Sequence, residues 1–255
     1  MKILLTGHKG FIGSHLLKAF EDAGHEVSTH EWGDVLPSVI MQDWVVHAGA
    51  ISSTTETDIE KIMTQNVDFS IQLYNACKTY GVNFQFASSA SVYGLGTEFK
   101  ETSPVDPRNA YAWSKYLVER HIERHPMGTR CHVFRYFNVY GPGEDHKGKQ
   151  ASPFTQFEKQ AIMDKEIEVF EGSENFRRDF IHVDDVVACH MLFLNKVTES
   201  GVWNVGTGNT MSFMDVAEKF DVPIKTIPMP EKLKQSYQKY TCADITKLVQ
   251  TVSRL

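Results

Sequence analysis

Short apolar runs alternate with amphipathic stretches through the first half of the chain. Lys2–Leu5 reads as a buried strand, and Ser14–Ala23 as a helix with Leu16, Leu17 and Phe20 on one face and Gly24 as its stop. Further strands are predicted at Glu26–Glu31, Trp44–Ala48 and Phe84–Ala87. A helix over Val67–Tyr80 presents Val67, Ile71, Tyr74 and Cys77 inward and ends at Gly81. A helix at Ala110–His125 and a strand at His132–Asn138 follow. This alternation predicts an α/β fold, a doubly wound parallel sheet with helices on both faces. Trp44 follows Glu31 by only 13 positions. A parallel crossover needs about a dozen residues or more, so one outer strand of the sheet is expected to be reduced or missing.

The second half is less regular. Ile167–Gly172, Phe180–Val183 and Val202–Val205 read as strands, and Asp184–Asn195 as a helix. Ser212 and Asp215 have capping-box spacing before a helix to Phe220, and Pro223, Pro228 and Pro230 then break the chain. We expect residues 1–139 and about 176–205 to form a dinucleotide-binding body. Residues 140–175 and 206–255 are expected to form a smaller substrate-binding lobe over the strand C-termini, where open parallel sheets bind ligands.

Composition narrows the function classes. With 42% apolar and 23% charged residues, the 255-residue chain is an ordinary globular protein. Its net charge of −6, with no basic block, argues against nucleic acid or an anionic membrane as partner. No apolar run approaches the ~18–20 residues that span a bilayer. Met1–Gly7 turns glycine-rich too soon for a signal peptide. Cys77, Cys131, Cys189 and Cys242 are scattered without ligand spacing, which predicts reduced thiols, a cytoplasmic location and no metal site.

Two motifs carry chemistry. Gly7, Gly10 and Gly13, with Phe11 and Ile12 between, follow a strand and open a helix, so backbone N–H groups can approach a pyrophosphate. Glu31 ends the second strand 24 residues after Gly7, where a carboxylate accepts ribose hydroxyls. It would repel a 2′-phosphate, and no Lys or Arg lies between Lys18 and Lys61; charge favours NAD over NADP. Tyr111 and Lys115 stand at i, i+4 on one helix face. An ammonium beside a phenol is expected to lower the phenol's pKa and fit it for proton exchange with an alcohol. Ser89, at the end of the preceding strand, can bond the same alcohol oxygen. His121 and His125 also share a helix face, but Glu123 does not match a metalloprotease pattern and there is no evident third ligand.

These elements resemble the extended short-chain dehydrogenase/reductase family, a Rossmann-type family that modifies nucleotide-activated sugars. The resemblance covers almost the whole chain and makes Ser89, Tyr111 and Lys115 the expected catalytic triad. Longer strings sharpen it toward the branch that epimerises an ADP-linked heptose: Ala48–Glu56, Phe134–Pro142 with His146–Gly148, Phe170–Phe180, and Lys232–Lys234 leading to Tyr237. That resemblance implies transient oxidation by a bound nicotinamide, with Tyr111 and Lys147 as acid/base groups on opposite sides, and it allows NADP as well as NAD. It implies cofactor contacts at Ala48, Gly49, Ala50, Ser52, Asn66 and Val139. Substrate contacts are implied at Asn138, Lys149, Gln156, Phe170, Glu171, Gly172, Ser173, Arg178 and Tyr237, with Arg178 on the pyrophosphate. The resemblance also implies a homo-oligomer. Glu31 stands where the family has Asp, and Lys149 and Gln156 replace a Ser and a His, which bears on the substrate more than on the redox chemistry. The alternatives are another nucleotide-sugar epimerase, dehydratase or reductase, and a non-catalytic nucleotide-binding regulatory protein.

Overall fold

The computed structural model describes residues 1–36, 38–231 and 238–255. Its main sheet is built from β1 (Lys2–Thr6), β2 (Glu26–His30), β3 (Trp44–His47), β4 (Asn83–Ser89), β5 (Cys131–Tyr136) and, after a second region, β10 (Gly201–Val205). The order is β10-β5-β4-β3-β1-β2, and every pairing is parallel. Ile3 pairs with both Val27 and Trp44, so β1 lies inside the sheet and carries buried side chains from Ile3 to Thr6. β2 is the edge. No strand is formed by the described residues between His30 and Trp44, in line with the short spacing in the sequence.

Helices cover both faces. α1 (Phe11–Asp22) packs Leu16 and Phe20 on Ile3, Leu5, Trp44 and Val46, beside Leu194 of α6 (Val183–Asn195). On the other face lies a continuous helical run: α2 (Ile59–Ile62), a π-helical stretch Met63–Asp68, and α3 (Phe69–Tyr80). α3 and α4 (Ala110–Arg124) bury Leu73, Tyr74, Cys77 and Val118 on Leu4, Val45 and Phe84. Val67, Tyr74 and Cys77 face inward as expected; Ile71 is only half-buried, and Leu73 takes the core position. Within α3 the buried positions Ser70, Leu73, Tyr74 and Cys77 form a regular i, i+3, i+4, i+7 stripe that Ile71 only flanks.

The second region supplies β6 (Asn138–Tyr140), α5 (Pro153–Met163), β7 (Ile167–Phe170), β8 (Arg177–Arg178), β9 (Phe180–His182), β11 (Met211–Ser212), α7 (Phe213–Ala217), β12 (Ile224–Ile227) and β13 (Tyr240–Thr241). They form three small sheets, β11-β8-β13, β12-β7 and β6-β9. The expected capping box is present: Ser212 accepts from the Asp215 N–H, and Asp215 from the Ser212 N–H. α8 (Thr246–Val252) returns to the main sheet, where Trp203 donates to Thr251 at 3.0 Å. The four cysteines are free thiols, and no helix among the described residues is long and apolar enough to cross a membrane.

Candidate active site

Strand order diverges on either side of β1 and β3, and the crevice this leaves at their C-terminal ends holds the glycine turn. Gly7 has φ +76°, and a Cβ there would lie 2.4 Å from Gly49 Cα. A Cβ on Gly13 would lie 1.9 Å from the Gly7 carbonyl oxygen. The turn therefore docks α1 directly against the strand ends, and α1 begins with no side-chain cap on its free N–H groups. The Glu31 carboxylate accepts the Lys9 N–H at 2.7 Å and stands 3.1 Å from His8 Nδ1. Glu31 and Trp32 border a cavity of about 220 Å³ with Gly7, Gly49, Ala50 and Phe69. This bare backbone cradle, with a carboxylate pocket at one end and a second cavity at the other, fits a dinucleotide. Gly13→Ala should push the turn open and lower cofactor affinity more than about 100-fold, measured by titrating the purified protein with NAD.

The second cavity, about 340 Å³, lies on the far side of the turn. Gly7, Gly10, Phe11, Ile12, Gly13, Ala48, Ala50, Ser52, Tyr111, Lys115 and Lys147 all line it, as do Ser88, Tyr136 and His146. Asn109 caps α4 by accepting the Ala112 N–H at 2.8 Å, which puts Tyr111 in the first turn and Lys115 one turn later. Lys115 Nζ is 5.8 Å from the Tyr111 ring centre and 4.9 Å from that of Phe86. Tyr111 is hydrogen-bonded to Ser89. Burial pushes the Tyr111 phenol up, with the Ser89 bond pulling it down by less. Burial also pushes the Lys115 amine down to about 7, against the pull of Glu119. The expectation that the lysine lowers the tyrosine's pKa is thus corrected: burial of the phenol raises it, and only the Ser89 bond opposes this.

A buried polar chain ties this helix to the glycine turn. Thr6 Oγ1 meets His47 Nδ1 at 2.6 Å, His47 Nε2 meets Ser70 at 2.7 Å, and Ser70 donates to the Asn66 carbonyl. Asn66, in the π turn, donates to the Ile51 carbonyl and to Ser114, which donates to the Tyr111 carbonyl. Asn66 therefore acts through the backbone rather than on the cavity wall. Val139 packs in the core with Ala87 and Phe134. Beneath α4, Arg135 pairs with Glu119 at 2.6 Å and Ser88 also donates to Glu119, fixing β5 and β4 to the helix.

Lys147 sits in the turn Asp145–Gln150. Its Nζ lies 4.0 Å from the centre of the Phe11 ring and 3.1 Å from Glu144 Oε2. Burial lowers its pKa, with Glu144 opposing. Lys147 thus lines the same cavity as Tyr111.

With this arrangement in place, the family model described as the NAD-dependent epimerase/dehydratase family matches residues 3–206. The chain belongs to this family. It is similar to the ADP-L-glycero-D-manno-heptose-6-epimerase of Brachyspira hyodysenteriae, 35% identical over 286 aligned residues covering 96% of this chain and 90% of that one. Among solved structures it is similar to the ADP-L-glycero-D-manno-heptose-6-epimerase of Helicobacter pylori (TM-score 0.87, 26% identity, 99% of this chain and 90% of that chain). It is also similar to the UDP-glucose 4-epimerase of Thermus thermophilus in complex with NAD (TM-score 0.82, 27% identity, 98% and 92%).

In this epimerase/dehydratase family member a larger cavity, about 680 Å³, opens between α5, β7 and α7. Gln156, Phe170 and Ser173 line it, with Pro153, Phe157, Gln160, Phe213 and Ile227. Gly172 makes the left-handed turn after β7, and the Glu171 N–H donates to the Ile227 carbonyl, so both act through the backbone. Asn138 donates to the Asp179 carbonyl and to Thr241, away from the cavity walls. The Arg178 guanidinium lies 5.5 Å from the Phe213 ring and donates to the carbonyls of Arg177 and Gln238. Arg177 faces the other way, to Thr210 and Asp215. Tyr237 and the Lys149 side chain lie outside the described residues. His121 and His125 stack on each other at 4.3 Å, and His121 bonds Asn75; the described residues hold no group of three metal-ligating side chains. The sequence motifs do not single out Ser88, Tyr136, His146 or Glu144, although Tyr136 lies in the string Phe134–Pro142 and His146 in His146–Gly148.

Proposed function

We propose that this protein interconverts the two C6 epimers of ADP-glycero-manno-heptose, without net consumption of its nicotinamide cofactor. The observation that carries this reading is that Lys147, Tyr111 and Lys115 line one cavity beside the glycine turn. The bound nicotinamide supplies reversible hydride exchange. Tyr111, held by Ser89, takes the hydroxyl proton from one epimer when it is itself deprotonated, as the phenolate, and returns that proton in the reverse direction. Once inverted, the alcohol points away from Tyr111, so a fixed second group must serve it, and Lys147 takes that part. The intermediate is a ketone at C6, which turns within the cavity before the hydride returns to its opposite face. Glu31, as a carboxylate beside the adenosine cavity, supports NAD over NADP.

Support for the ADP-heptose comes from the relatives' activity, over nearly the full length of the chain. The nucleotide-sugar base is assigned to the cavity of Gln156, Phe170 and Ser173, and the pyrophosphate to the neighbourhood of Arg178. The residues expected to form the smaller lobe are proposed as its seat, in a cytoplasmic enzyme. A second reading, a different nucleotide sugar, is favoured by Gln156 on the wall of that cavity, where the family has His. Incubating either pure epimer should lead to the same final mixture, followed by proton NMR at C6. If neither epimer changes with NAD or NADP while a UDP-, GDP- or dTDP-sugar does, the second reading replaces the first.

A further inference from the structure

We infer that Glu144 is a positioning residue of the reaction: it holds Lys147 in the cavity and sets the pH range over which that amine exchanges a proton. The inference rests on the proposed role of Lys147. Glu144 is 1% exposed, yet its carboxyl group is surrounded by donors. Oε1 faces the Ser152 hydroxyl at 2.6 Å, the Thr155 hydroxyl at 3.3 Å and the Gly141 N–H at 3.3 Å. Oε2 faces the Ser152 N–H at 2.9 Å and Lys147 Nζ at 3.1 Å. Two backbone N–H groups and an ammonium donate to it, and its side chain is fixed from the turn on one side and from α5 on the other. Among the described residues Lys147 is the one cation on it. With Phe11 beneath, the carboxylate leaves the lysine little rotamer freedom, although its side chain is still 24% exposed.

Among the described residues, the other charged and titratable groups near Lys147 are engaged elsewhere or lie across the cavity. Tyr111 and Lys115 face it from α4 and Tyr136 from β5, with His146 beside it in the turn. His15 on α1 bonds the Pro142 carbonyl and faces Asp184. Asp145 pairs with Lys159 at 2.8 Å. Glu144 is thus the anion in contact with the amine. A carboxylate at this distance raises an amine's pKa by about 1–3 units, opposing the effect of burial.

The test uses Glu144→Gln in the full chain, assayed with both epimers of ADP-glycero-manno-heptose from pH 5 to 10. The amide keeps the shape and lets the two hydroxyls turn to accept from it. The limb of the kcat profile governed by Lys147 is expected to move to lower pH by about one unit, with kcat down about 10-fold and KM little changed. In the Lys147→Met background, Glu144→Gln should add nothing to the hydride-transfer half-reaction that remains, because it acts through the missing amine. A pH profile that superimposes on the parent's, or a double variant well below Lys147→Met, overturns the inference. Should the Gln variant fail to fold, Glu144→Asp draws the charge back from the amine, and the same limb moves the same way by less; an unmoved limb overturns the inference again. Full epimerisation by Lys147→Met itself would instead overturn the proposed role of Lys147 as the second proton-exchanging group, and failure of either ADP-heptose epimer to change in the parent protein would overturn the proposed function. The two failures are therefore distinct.

Discussion

Lys147→Met is expected to stop epimerisation, lowering its rate by about 10³-fold or more, while hydride transfer from one epimer to the bound nicotinamide survives. The asymmetry is the informative part. Methionine keeps the length and the apolar contact with Phe11 but can neither give nor take a proton. Tyr111, Ser89 and Lys115 lie on β4 and α4, outside the turn that carries Lys147, and remain intact. The epimer whose hydroxyl faces Tyr111 can still be oxidised and reduced again, visible in the absorbance of the nicotinamide. The other epimer needs a proton at a place Tyr111 does not reach. Loss of transfer from both epimers would mean Lys147 binds substrate; interconversion at the parent rate would remove it from the chemistry.

The second large effect is at Lys115, where activity and stability are expected to move in opposite directions. Lys115→Met should lower kcat at least about 100-fold. It should also raise Tm by about 5 °C or more near pH 6, as seen by calorimetry. The amine is buried, with its pKa lowered from 10.5 to about 7. The unfolded chain therefore binds this proton more tightly than the folded one. The cost is fully present below about pH 7, shrinks as pH rises, and is gone above the unfolded value. Methionine carries no such cost, so the gain in Tm should fade as the pH is raised toward 10. A gain independent of pH would point to packing instead. Conversely, a loss of stability at pH 6 would show that the attraction of Glu119 one turn along α4 outweighs desolvation.

Much of the body of the fold can be read along the chain because its causes are local. Continuous apolar runs fit strands covered on both faces, and each is followed by a helical face of the right period. The short gap after Glu31 announces the edge at β2 for the same reason: a crossover has a minimum length. The glycine turn and the Tyr111/Lys115 spacing are equally local, since a single turn and a single helix set their geometry. Where periodicity misled, at Ile71, the buried stripe of α3 runs instead through Ser70 and Leu73, and a polar Ser70 hid it. Glu144 had no signal, because its five partners come from Gly141, Lys147, Ser152 and Thr155, and nothing in a polar run marks one carboxylate as buried.

By itself, then, the order of residues determined the parallel sheet, the glycine turn at the strand ends and the placing of Tyr111 and Lys115 one helical turn apart. These follow from steric rules that act over a few neighbouring residues. Only the tertiary structure decided that Lys147 lines the same cavity as Tyr111, that Glu144 holds it there, and that Lys115 sits near neutrality rather than fully charged. Those outcomes depend on how much water is excluded and on which groups meet from segments far apart in the chain, and desolvation and close charge contact exist only once the layers have packed.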